Sequence, residues 1–63
     1  MDARNPQRGD VFDHAQWLQP DNQTPLRFRV TRVTADTVYY RPVDGGSASY
    51  TTREDFPKRV RNV

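Results

Sequence analysis

Sixty-three residues suffice for one small domain, and with no cysteine and a single histidine, His14, neither disulfides nor a zinc site can staple it. Hydrophobic residues make up only 33% of the chain, charged residues 29%, and the net charge is +2, so the fold must rest on a thin core and a hydrogen-bonded sheet. No apolar run approaches the roughly 20 residues of a membrane span, and the opening residues lack an apolar secretory stretch, so a cytoplasmic protein is expected.

The charge is unevenly placed. Residues 1–25 carry two arginines against four acids, a net −2, whereas residues 26–63 carry eight Lys/Arg against four acids, a net +4. A basic second half is the first pointer to a binding surface.

In chain order, residues 1–8 are polar, contain Pro6, and read as a flexible N-terminal arm, leaving residues 9–63 as a single domain. Gly9-Asp10-Val11-Phe12 reads as a short strand. Residues 13–25 contain two prolines and several Asn, Asp and Gln, which predicts a long loop. Within it, His14 to Trp17 has room for one helical turn, and Trp17-Leu18 is an apolar pair suited to folding over a barrel end.

The clearest element is residues 26–33, where Leu26, Phe28 and Val30 alternate with Arg27, Arg29 and Thr31, the period of a half-buried strand. A turn at residues 34–37 leads to a strand over residues 38–43, rich in β-branched and aromatic residues. Pro42 donates no hydrogen bond and belongs near a strand end. Asp44-Gly45-Gly46 signals a hairpin back into a strand over residues 47–52. Thr51 followed by Glu54 resembles a capping box for one helical turn that Pro57 ends. Residues 58–63 form a last short strand or tail.

Two registers are open. An even-length turn around Ala35-Asp36 gathers Phe28, Val30, Tyr39, Val43, Ala48 and Tyr50 on the inner face, with Arg27, Arg29, Thr31, Tyr40, Ser49 and Thr51 outside. A slip of one residue exchanges the faces. Tyr40 then goes inside, and Tyr39, Arg41 and Tyr50 come out beside Arg27 and Arg29. In both, the outer face carries tyrosine with arginine.

This order of elements resembles the SH3-like small barrel shared by SH3, Tudor and KOW-type domains. The resemblance covers about residues 9–61 and implies an all-β fold, a barrel of about five antiparallel strands with one short helical turn before the last. The aromatic and acidic peptide-binding motifs of SH3 domains and the KOW glycine are not recognisable here. The strings Val38-Tyr39-Tyr40-Arg41, Asp44-Gly45-Gly46 and Phe56-Pro57-Lys58-Arg59-Val60 also look like short bacterial and phage proteins of uncharacterised function, which implies a small accessory protein rather than an activity.

No phosphate-binding glycine loop, dinucleotide fingerprint or nucleophile elbow is present, so neither enzyme chemistry nor a cofactor is expected. His14 with Asp10 and Asp13 could be cast as an acid–base group, but a solvated histidine beside surface acids is the simpler reading. Asp10, Asp13 and Asp21 match no calcium-loop spacing, so no metal is expected. A non-catalytic binding module remains. The first-ranked partner is a protein, or a second copy of the chain, engaged through Phe12, Trp17 and Leu18. The alternative is nucleic acid, with Arg27, Arg29, Arg41, Lys58, Arg59 and Arg61 tracking phosphates and Tyr40 stacking on a base. Against it stand the modest net charge and the ordinary use of charged residues to protect sheet edges.

Overall fold

The computed structural model describes residues 1–61. Four antiparallel strands, β1 (Val11–Leu18), β2 (Pro25–Val33), β3 (Thr37–Pro42) and β4 (Ser49–Thr52), pair in chain order into one sheet, followed by a single helical turn, α1 (Phe56–Arg59). The sheet curls into a half-barrel. The fold is all-β, as the alternating patterns imply, but with four strands rather than five. Where a last strand is expected, a lone bridge joins Val60 to His14, and the final two residues lie outside the described residues.

The first hairpin departs most from expectation. Residues 13–18 extend β1 instead of starting a loop or a helical turn, and only residues 19–24 connect it to β2. Asp21 shapes that connection. Its carboxylate accepts the backbone N–H groups of Gln23 and Thr24 at 2.8 and 2.9 Å and the Thr24 hydroxyl at 2.6 Å, a side-chain turn of the kind aspartate favours.

The face question is settled by a bulge. The turn at residues 34–37 has even length, and next to it Val33 pairs with Val38 and Arg32 with Tyr39. One residue is then skipped at Thr31, so Val30 pairs with Tyr40, Arg29 with Arg41 and Phe28 with Pro42. The Thr31 hydroxyl donates to the Tyr39 carbonyl at 3.3 Å. A bulge adds one residue to one strand only and thereby exchanges the faces beyond it. Val30 and Val33, three apart, both point inward as a result. Tyr40 is buried at 2% exposure and cannot serve as the outer stacking residue, whereas Tyr50 is 72% exposed. Thr51 is buried and Ala48 exposed, the reverse of the even-register arrangement.

Inside lie Phe12, Phe28, Val30, Val38, Tyr40 and Phe56, with Ala3 from the N-terminal segment packed among them and Pro6 also buried. The aromatics interlock. Phe12 stacks on Phe28 at 5.8 Å and meets Tyr40 and Phe56 edge-on at 5.4 and 5.1 Å. Such pairs add specificity to the area they bury.

Phe56 reaches the core because α1 starts one residue after Asp55, with Pro57 inside its first turn, where a missing N–H costs nothing. The proline therefore helps to begin this turn rather than ending it. The Thr51–Glu54 box does not form; instead the Thr52 hydroxyl accepts the Asp55 N–H at 3.1 Å. None of the described helices is long and apolar enough to cross a membrane.

Candidate functional site

Two surfaces carry chemistry, and they meet at β4. The first is the outer face of the sheet. Alternation along β2 and β3 puts Arg27, Arg29 and Arg41 outward, while Phe28, Val30 and Tyr40 fill the core. Arg29 and Arg41 are direct partners across the ladder, a juxtaposition of like charges that weakens a sheet. Beyond the bulge, Arg32 stacks over Tyr39 at 5.6 Å, and Tyr39 packs against Tyr50 of β4 at 5.9 Å. An arginine, a tyrosine and a second tyrosine thus form a row beside the arginine pair.

The acids do not neutralise this face. Among the described residues, the two ion pairs are Arg27–Asp13 at 2.9 Å and Lys58–Asp55 at 3.4 Å. Arg27 is tied to its carboxylate, and its guanidinium is held further above its ordinary value by that hydrogen bond and charge. Arg29, Arg32 and Arg41 have no acidic partner among the described residues. Arg41 donates to the Gly46 carbonyl at 3.0 Å, which steadies the side chain but leaves its charge uncancelled.

The second surface is the seam where the half-barrel does not close, between the start of β4 and the second half of β1. A cleft of about 380 Å³ opens there, lined by His14, Gln16, Trp17, Tyr40, Tyr50 and Arg59 among others. His14 lies at its floor. It is 1% exposed, not the solvated histidine expected from its polar neighbours. Its Nδ1 accepts the backbone N–H groups of Gln16 and Trp17, both at 3.0 Å, which organises the irregular stretch of β1 between Asp13 and Leu18.

Accepting two N–H groups leaves Nδ1 without a proton, so in the neutral ring the hydrogen sits on Nε2. That Nε2 is buried and has no partner among the described residues. Burial first, then the charges of Arg59 and Arg61, hold the imidazole below its ordinary pKa. Burial pushes the Tyr40 hydroxyl upward, opposed by Arg59, so Tyr40 is a donor at neutral pH.

The residues read as a basic tail separate into different roles. Arg61 is structural: its side chain donates to the carbonyls of His14 and Ala15, both at 3.2 Å, and its N–H to Asp13. Lys58 points to water beside Asp55. Arg59 enters the cleft, where its acceptor is the neutral Gln16 amide at 3.3 Å.

Of the apolar residues read as a protein contact, Phe12 lies in the core at 5% exposure, whereas Trp17 and Leu18 are 46% and 40% exposed at the end of β1. Asp10 accepts from the Gln7 N–H and Asp13 holds Arg27, so neither joins His14 in an acid–base group. Sequence reasoning left the outward member of the Tyr39–Tyr40 pair open and gave the stacking role to Tyr40, which its burial rules out; it gave Gln16 no role. The signal for the first was the break in alternation at Val30-Thr31-Arg32-Val33. No protein-family model matches the chain, and no curated protein and no solved structure matches it either.

Proposed function

We propose that this protein is a non-catalytic module that binds single-stranded nucleic acid on the outer face of its sheet. The observation that carries the reading is the cross-strand pair Arg29–Arg41 beside the Arg32–Tyr39–Tyr50 row. Facing two arginines weakens a sheet, and Tyr50, although it packs on Tyr39, stays 72% exposed. A phosphate chain would neutralise the pair, and an unpaired base can stack on Tyr50. An SH3-like assignment of the half-barrel is consistent with this use; the long first hairpin and the helical turn near the end support it.

The test is fluorescence anisotropy of a labelled oligothymidylate at several salt concentrations. Three arginine contacts to a single strand predict a slope of log K against log salt of about −2. Binding that ignores salt, or no binding at low salt, overturns the reading.

A second reading is favoured by the exposed Trp17–Leu18 tip: contact with a protein, or with a second copy of the chain. It ranks lower because Phe12 is unavailable to the patch and Trp17 spends one ring face on His14. Concentration-dependent sedimentation that disappears in Leu18→Asp would support it.

A further inference from the structure

The seam cleft has an unusual polar lining. Arg59 and Tyr40 bring donors to it, His14 lies beneath with its Nε2–H buried, and no carboxylate among the described residues lines it. Arg59 is half-buried, and its side-chain acceptor is a neutral amide rather than a carboxylate. The buried Nε2–H lacks any acceptor among the described residues, a deficit that weakens the fold around it. A lining of this kind favours an oxyanion, which can meet Arg59 and Tyr40 in the cleft.

The cleft is continuous with the outer face. Tyr50 packs on Tyr39 outside and also borders the cleft, so the short β4 strand is the ridge between the two. We propose that the seam cleft seats one phosphate group of the strand whose bases stack at Tyr50, with Arg59 as its main contact. This rests on the outer face being a single-strand site, and it adds a second, enclosed contact that the flat face cannot provide. Trp17, the only tryptophan, borders the cleft and reports on its occupancy.

The experiment combines oligothymidylate binding with Trp17 emission. Wild type should show a change in Trp17 emission as the strand binds. Arg59→Gln should weaken binding about tenfold, the loss of one charged hydrogen-bonding contact. It should also make the salt slope shallower by about 0.7, one phosphate on a single strand. Lys58→Gln, on the same turn but outside the cleft lining, should leave the Trp17 response unchanged. A variant that folds poorly is bypassed from the ligand side: in wild type, a single neutral methylphosphonate walked along a strand of minimal site length should weaken binding at several positions but suppress the Trp17 response at one.

If Arg59→Gln leaves binding unchanged and no methylphosphonate position alters the Trp17 response while Arg29→Glu still abolishes binding, the cleft proposal falls and the outer face stands. If Arg29→Glu is silent and Arg59→Gln weakens binding, the outer face falls instead. A Trp17 response to inorganic phosphate alone as large as that to the strand would mean a site for free ions, and would also overturn the proposal.

Discussion

Trp17 lies flat on the imidazole of His14, with ring centroids 4.3 Å apart and planes within 3° of parallel, while the Trp17 backbone N–H donates to that ring's Nδ1 at 3.0 Å. One histidine therefore holds this residue twice, by the face of its side chain and by its backbone. The hydrogen bonds to Nδ1 depend on the ring being neutral: a proton there would face the N–H groups it now accepts.

Stability should therefore fall on mild acidification. The folded pKa of His14 lies below its ordinary value near 6.5. As pH drops, the unfolded chain takes up its proton first, so stability that is full above about pH 6.5 is lost as pH passes through the folded value. The urea midpoint should be lower at pH 5 than at pH 7.5. His14→Asn keeps an acceptor but cannot titrate, and should flatten that difference. Hydrogen bonds from Thr24 and Gln23 also lower Asp21, but its effect belongs below about pH 4. Equal pH dependence in wild type and His14→Asn would show that His14 is not the titrating group.

Arg29→Glu should separate stability from binding. It replaces a repulsive pair with an attractive one opposite Arg41, so the urea midpoint should stay level or rise while oligothymidylate affinity drops. Loss of both together would mean that Arg29 supports the fold.

Phe28 is 1% exposed and touches Phe12, Tyr40, His14 and Trp17. Phe28→Ala should cost about 3–5 kcal/mol, close to the whole stability of a domain this small. Circular dichroism at 25 °C should show an unfolded chain; a cooperative melt near that of wild type would contradict the packing described.

Gly45 tests backbone strain alone. Its φ is +97°, and a Cβ there would meet no atom within 4 Å. Gly45→Ala should cost about 1 kcal/mol through conformation only, visible as a lower urea midpoint with unchanged oligothymidylate binding. An unchanged midpoint would mean that the loop at residues 43–48 readjusts freely.

Much of the fold was legible because residues 26–52 obey simple periods. The alternation from Leu26 to Thr31, the aromatic strand that follows and the glycine pair located β2, β3 and β4 within a few residues. What escaped were departures from period. The bulge at Thr31 is one residue long, yet it decides whether Tyr39 or Tyr40 meets solvent. His14 looked solvated because its neighbours are polar, and nothing local announces that its ring folds under Trp17 to accept two backbone N–H groups. The extension of β1 was hidden for the same reason: its irregular half is organised by that side chain rather than by alternation. The arginines of the outer face were readable, but their separation into paired Arg27, unneutralised Arg29 and Arg41, and structural Arg61 needed three dimensions.

The open seam also sets a timetable for motion. β4 is four residues long and is held along one side by β3, with the Arg53 N–H donating to Asp36 just past its end, so it should be the cheapest strand to peel away. In deuterated water its amides should exchange well before those of β2, which has neighbours on both sides. Because Tyr50 rides on that strand, a bound oligonucleotide should slow this exchange more than any other in the sheet.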